Sequence, residues 1–463
     1  MPPKADYELL PGYAGAMTDA TPPFRRAITA IRRVAMTPIT VWIAFILVHL
    51  WLGLLNLYAP GLPLGDVTNV YRYWMDLGVN THYWVGIDTA WVYPIVAIVP
   101  MLISIAFGQG LVASTWLTMV MVLNAVGLGV LTGWGRSRTH IAIAWWWVAF
   151  LFLLGPIALG RIDSVTVPLA IVGVLVIARR PRAAAVILTI ATWIKVWPAA
   201  ILVSVVIAAK ARVRVLVATG VTSAAIIAIA LLLGSGANVL SFVTQQTGRG
   251  LQIEAPISTF WMWQTLAGVP GSGVYYDQKI LTYQVQGNGV DAASAIMTPI
   301  LAIVVVAIAA LGVVATRNRA PVTEVLPPLV LALVTAFIAF NKVGSPQYIS
   351  WLAVPVILGL ATAAAGHGRS FRTPAILAIV LAVLTQVLYP YLYIWLVYTN
   401  PVMLIVLTAR NLLLFVLLGW AIASLWQVAR PGSQHESLDE EIDWLPAVWP
   451  LGSDRQTVTV EKP

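Results

Sequence analysis

Residues 38–59 read PITVWIAFILVHLWLGLLNLYA, and a short loop then leads to GDV at 65–67. The first stretch carries no Asp, Glu, Lys or Arg and exceeds the roughly 20 apolar residues that a spanning helix needs. The second places Asp66 just beyond it. Acids are expensive near lipid and usually mark function there. Working outward, apolar runs recur at 92–107, 111–132, 141–159, 165–178, 183–209, 215–235, 293–315, 325–340, 347–365, 375–397 and 402–428. The chain is 60% hydrophobic and 10% charged, with mean hydropathy +0.87, whereas a soluble chain would carry about 25% charge. The expectation is an all-α polytopic membrane protein of about 12 transmembrane segments, with the lipid bilayer as its first partner.

The net charge of +9 does not point to nucleic acid. Arg and Lys sit in short loops between spans, as the positive-inside rule requires. Three regions follow: a cytoplasmic or interfacial segment 1–37 with a basic helix over 23–34, a transmembrane body 38–428, and an acidic, disordered cytoplasmic tail 429–463. No secretory signal is expected, because 41–57 is too long for one and lacks a small-residue cleavage site. There are no cysteines, so disulfides and thiolate metal sites are excluded.

Charges at Lys210–Arg214, Arg317–Arg319 and Arg369–Arg372 mark one side, and 236–292, 341–347 and 389–401 the other. The N-terminal half has the wrong parity unless two segments fail to span simply. The run 92–107 contains Pro94 and Pro100 and is read as re-entrant. The run 183–209 is read as a hairpin bent at Trp193-Ile194-Lys195-Val196-Trp197-Pro198. Broken helices survive at membrane depth only beside protein or a wet cavity, so both bends point to a substrate cavity.

After Asp66, residues Val67, Val70, Tyr71, Trp74 and Met75 form a helical stripe, an amphipathic interfacial helix in the first outer loop. The plainer reading of Asp66 is an N-cap on that helix. Gly160-Arg161-Ile162-Asp163-Ser164 is a second polar cluster, or a short loop with an ion pair. Lys195 is a third, lined by two tryptophans, or else a lysine reaching an interface. Asn341–Tyr348, with Lys342, Gln347 and Tyr348, is the fourth, or a polar turn. The long loop adds Arg249, Gln252 and Glu254, and Val274–Val285 alternates as a small extracytoplasmic β-hairpin. Walker, dinucleotide and zinc patterns are absent, so no cofactor and no metal are expected.

In this order the clusters resemble the polyprenyl-phosphate-sugar-dependent glycosyltransferases of the GT-C fold, especially glycosyltransferase family 87. The likeness runs from about 40 to 410: Gly65-Asp66, Trp91-Val92-Tyr93-Pro94, Gly160–Asp163, the basic turn Arg179–Arg182, Ile194–Pro198, Arg249–Glu254 and Asn341–Tyr348. It departs where the family often has Gly-Gln-x-Asn and this chain has Gly160-Arg161-Ile162-Asp163. No histidine follows the Ser345-Pro346 turn, as it can in mycobacterial mannosyltransferases of the family.

The resemblance implies a GT-C-like catalytic bundle over 38–428 in the bacterial inner membrane, its site facing the extracytoplasmic side. It implies transfer of a sugar, mannose foremost, from a polyprenyl-phosphate donor to a glycolipid or glycan acceptor with inversion. Asp66 is then the general base. Lys195, Lys342 and Arg249 are candidates for the donor phosphate, and Tyr71, Arg161, Asp163, Gln252, Glu254, Gln347 and Tyr348 for substrate contacts. The alternative is a lipid or small-solute transporter or flippase, which inverted repeats would signal; none is evident here.

Overall fold

The first apolar run becomes helix α1 (Pro38–Tyr58). Thr37 caps it by accepting the Thr40 amide, and Pro38 occupies the first turn, where a missing N–H is no loss. The computed structural model describes residues 36–137, 139–247 and 249–430. The expected basic helix over 23–34 and the acidic tail beyond Arg430 lie outside the described residues.

A π-helical turn, Asp66–Tyr71, runs into α2 (Arg72–Thr81). Val67, Tyr71 and Met75 of the expected stripe are buried, and they face protein. Tyr71 lies against Trp116 and Tyr93, and Trp74 packs edge-on to Trp91. The remaining elements are α3 (Ile98–Ile105), α4 (Val112–Thr132), α5 (Ile141–Leu154), α6 (Asp163–Val176), α7 (Pro181–Ile194), α8 (Ala199–Ala208), α9 (Arg212–Leu232), α10 (Ser241–Thr247) and α11 (Thr259–Leu266). A hairpin of β1 (Gly273–Asp277) and β2 (Thr282–Gln286) follows, then α12 (Val290–Arg317), α13 (Val322–Ala339), α14 (Ala353–Ala364), α15 (Arg372–Leu388), α16 (Tyr393–Val397) and α17 (Pro401–Ala429).

Among the described residues, seven helical stretches are long and apolar enough to cross a membrane: 38–58, 109–132, 212–232, 290–317, 322–339, 346–364 and 401–429. Six other apolar helices have 10–17 residues. At about 1.5 Å per residue, the 14-residue helices reach only about 21 Å, against a hydrocarbon core of about 30 Å. The count of about 12 spans therefore exceeds what helix length supports.

Depth in the bundle sorts the helices. Helix α13 and the stretch 346–364 are mostly buried, while α9 and α12 present mostly exposed apolar faces. Such faces need lipid around them, and the chain is a multi-pass membrane protein. Helix α6 is buried almost throughout and packs against α4, α7 and α14. Its N-terminus, the turn 160–163, thus sits on the most enclosed part of the fold.

The expected break in 183–209 is present. Helix α7 ends at Ile194, Lys195 is extended, and α8 begins only at Ala199. Pro198 explains the interruption, because it disfavours helical geometry at Trp197 and cannot donate to the preceding turn. The run 92–107 forms only a 3-10 turn, Ile95–Ala97, and α3, too short to span.

Candidate active site

Gly160 opens the turn that organises the site. A Cβ there would lie 2.7 Å from the Pro63 carbonyl oxygen and 2.8 Å from Asn56 Oδ1, so only glycine lets this turn pass beneath the first loop. Arg161 then reaches back along that loop. Its Nε lies 3.0 Å from Asp66 Oδ2. Its Nη1 donates to the carbonyls of Pro63 (2.5 Å) and Gly160 (2.8 Å), and Nη2 donates to the Tyr389 hydroxyl at 2.7 Å. A guanidinium has five N–H donors, and four of them are taken up in these contacts. Asp66 lies inside the helical turn, whose cap position is Gly65. The N-cap reading therefore gives way to an ion pair. The Tyr71 hydroxyl accepts the Ile162 amide at 3.3 Å, tying the middle of the turn to the Asp66 helix.

Two residues on, Asp163 points the other way. Its Oδ1 accepts from Trp351 Nε1 at 2.7 Å, and its Oδ2 lies 3.7 Å from Lys195 Nζ. The ammonium sits 4.8 Å from the Tyr93 ring centre and 5.5 Å from that of Tyr348, where ring faces attract cations. Burial alone would pull Lys195 down. Asp163 foremost, then Tyr93 and Tyr348, hold it above the ordinary lysine value instead. Trp351 stacks between Trp197 and Tyr348, with ring centres 5.3 and 4.2 Å away, and Trp197 donates to Thr166 at 3.0 Å. The break that frees Lys195 is thus anchored to α6. The charge of Arg249 reaches both Lys195 and Tyr348.

The third group is built from two loops sewn together. The Gln252 amide donates to the Lys342 carbonyl at 3.1 Å, and Ser345 Oγ donates to Gln252 Oε1 at 3.3 Å. Gly344 lies so close to Glu254 and Ala255 that no side chain fits. Arg410, fully enclosed, donates to the carbonyls of Glu254 and Gly344, both at 3.3 Å. The Glu254 side chain is buried; Tyr393 hydrogen-bonds it, while its Oε2 has no protein partner. Burial pushes this carboxyl up to about 7, against the opposing pull of Tyr393 and Arg410. Burial also pulls Lys342 down. Gln347 is buried beside Tyr348.

Most residues singled out in the sequence fall in these groups; Gln347 is buried, and its backbone carbonyl accepts from Ser350 Oγ. Asp66, Tyr71, Arg161, Asp163, Lys195 and Tyr348 form one contiguous set, with Arg249 in electrostatic reach. Gln252, Glu254 and Lys342 join it through Tyr393, whose ring centre is 5.4 Å from that of Tyr389. Sequence reasoning missed Tyr389, Tyr393 and Arg410. Arg410 carried a usable signal, since a cation within the apolar run 402–428 is costly unless it has a task. Among the described residues there is no cluster of three or more His, Asp or Glu suited to a metal.

The arrangement offers a partly open carboxylate, a cation backed by a second carboxylate, and aromatic walls. In comparisons with known proteins, the model of glycosyltransferase family 87 matches residues 91–340, more than half of the 463 residues. That stretch includes the turn 160–163, Lys195, Arg249, Gln252 and Glu254; Asp66, Tyr71, Lys342, Gln347 and Tyr348 lie outside it. No curated protein and no solved structure matches the chain.

Proposed function

The chain belongs to glycosyltransferase family 87 and is a membrane glycosyltransferase, and from that premise we propose that Asp66 is its general base. The observation that carries this reading is the Asp66–Arg161 pair. It leaves the carboxylate side chain 37% exposed, and the Arg161 that holds it stands on the same turn that holds Lys195 through Asp163. Asp66 takes the proton from an acceptor hydroxyl as that oxygen attacks the anomeric carbon of the donor sugar. The bond to the donor phosphate breaks on the opposite face, so the configuration inverts. A phosphate leaving group needs no proton, so one carboxylate suffices, unlike the paired acids of glycosidases.

The departing phosphate needs compensating charge. Lys195, Lys342 and Arg249 supply it, with Tyr348 and Gln347 lining the donor side. Gln252 and Glu254 line the wall opposite. Arg161, Asp163 and Tyr71 serve as positioning residues. The donor is a polyprenyl-phosphate sugar, mannose foremost, and the acceptor a glycolipid or glycan. The catalytic body is 38–428, in the bacterial inner membrane with its site facing the extracytoplasmic side. The long loop, the hairpin and the turn 341–345 are joined by hydrogen bonds, in keeping with their expected place together on the side away from the basic turns. The family does not favour the transporter.

The test is transfer of label from polyprenyl-phosphate mannose by membranes carrying the wild type or Asp66→Asn. Loss of a positioned base lowers rates about 10²–10⁴-fold, and near-wild-type transfer by the Asn variant would remove Asp66 from this role. If neither transfers, the same assay with polyprenyl-phosphate arabinose separates a wrong sugar from a wrong reaction.

A further inference from the structure

The first loop is clasped from two sides. On one side the turn 160–163 passes beneath it at Gly160. On the other stands the turn that ends α15, where Tyr389 is extended and Pro390 follows. A Cβ at Gly61 would lie 2.7 Å from the Pro390 carbonyl oxygen, so the loop rests directly on this turn. Tyr389 is thereby fixed opposite Arg161, and its hydroxyl accepts from Nη2 at 2.7 Å.

A guanidinium left alone with a carboxylate commonly closes a fork of two parallel N–H···O bonds. One edge able to do so is formed by Nε and Nη2. Here that edge is divided: Nε meets Asp66 Oδ2 at 3.0 Å, and Nη2 turns to Tyr389. Nη1 does not replace it, since it serves the carbonyls of Pro63 and Gly160. Packing accounts for the Tyr389 ring, which meets Tyr393 edge-on and has Arg161 Cζ 5.7 Å from its centre. A phenylalanine would supply both contacts but not the oxygen. Satisfying a buried donor is one use for that oxygen, yet the Asp66 carboxylate stands at the same edge and could take the N–H instead.

We infer that Tyr389 is a positioning residue for the proton transfer: by engaging Nη2 it keeps Arg161 on Asp66 through a single prong, leaving the other carboxylate oxygen to receive the acceptor's proton. The inference rests on the reading of Asp66 as the base and adds why that base is not blocked by its own partner. A carboxylate caught in both prongs is held more firmly in its charged form and takes up a proton less readily. Asp66 and Tyr389 both lie outside the matched stretch 91–340, and Arg161 within it joins them. Besides Arg161, the titratable groups placed around Asp66 are Tyr71 of its own helix, Tyr276 of the hairpin and, farther along the helix, the Arg72–Asp76 pair. None of these is altered in the test.

The full chain in lipid nanodiscs is titrated by infrared difference spectroscopy against Asp66→Asn, which isolates the protonation of that one carboxylate without turnover. Tyr389→Phe frees Nη2 to close the fork. The Asp66 titration should then move to lower pH by about one unit, the scale of one hydrogen bond to a charged group. In the transfer assay the same variant should lower kcat about tenfold with both KM values little changed, and the acidic limb of its kcat/KM profile should follow the titration. Arg161→Gln removes the fork, so adding Tyr389→Phe to it should cost nothing more. An unmoved titration overturns the proposal, and so does a Phe variant that loses only unfolding midpoint. A loss that multiplies with that of Arg161→Gln would place Tyr389 on the substrate and overturn it as well. Near-wild-type transfer by Asp66→Asn removes the base and this role with it, whereas an inactive Asp66→Asn beside an unmoved titration removes Tyr389 alone.

Discussion

Two ion pairs hang from a single turn, Arg161-Ile162-Asp163, and they differ in polarity and in depth. In the outer pair the turn supplies the cation, and the acid it holds, Asp66, keeps a side-chain exposure of 37% against 10% for Arg161. In the inner pair the turn supplies the acid. Asp163 is 1% exposed, and the lysine it holds is 15% exposed. Each pair thus hides the member on the turn and presents the member brought from elsewhere. A group that meets substrate has to be reachable, and a group that orients it has to be fixed. One rigid turn at the start of a buried helix therefore sets the distance between a proposed base and a proposed phosphate cation. Breaking either pair should have different consequences.

The inner pair should fail in stability. Removing one partner of a buried pair leaves an uncompensated charge and typically costs about 3–5 kcal/mol. Asp163→Leu would also orphan the Trp351 indole N–H. We expect it to lower the unfolding free energy by about that amount, measured by denaturant unfolding in detergent. Adding Lys195→Met should restore much of the loss, because a neutral side chain then occupies the cage of Tyr93 and Tyr348. Equal instability of the single and double variants would show that the pair is not the source of the cost.

The outer pair should fail in chemistry. Arg161→Gln keeps a polar side chain in the turn but releases Asp66 from its 3.0 Å contact. Misplacing a reacting group by about 1 Å can cost about 10²-fold. The expected result is a kcat lower by about that factor with the donor KM little changed. The milder Asp163→Asn should instead raise the donor KM through Lys195. If both variants raised the donor KM alike, the division of labour between the two pairs would be wrong.

What could be read from the sequence follows the same physics. Asp66, Asp163 and Lys195 stood out because charge is costly in an apolar chain. The break at Lys195 was legible from Pro198, and the hairpin from alternation around Tyr275, Tyr276 and Tyr283. The pairing was not legible: nothing local says that Asp66 meets Arg161 instead of capping its own helix. The partners of Arg410 were hidden for a related reason. It bonds carbonyls 156 and 66 positions away, and no side-chain pattern announces a backbone partner. The tally of about 12 spans goes beyond the seven helices of spanning length among the described residues, because composition marks a helix as apolar without fixing its length. Helices α5, α6 and α7 are apolar through contact with their neighbours and yet short.

Glu254 sharpens the comparison as a third acid whose charge is matched by neither pattern. Arg410, its nearest guanidinium, is engaged with backbone carbonyls, and burial pushes the carboxyl from 4.5 up to about 7. Between those pH values the folded chain holds more protons than the unfolded one, so stability falls as pH rises. From pH 6 to 7.5 the linkage amounts to about 1 kcal/mol. The wild type should therefore lose apparent unfolding midpoint in detergent over that interval, and Glu254→Gln, which cannot ionise, should lose less. An identical decline in both would place the titrating group elsewhere. The smaller slope in the Gln variant would mean that Glu254 is a neutral donor below pH 7, whereas Asp66 and Asp163 each face a cation.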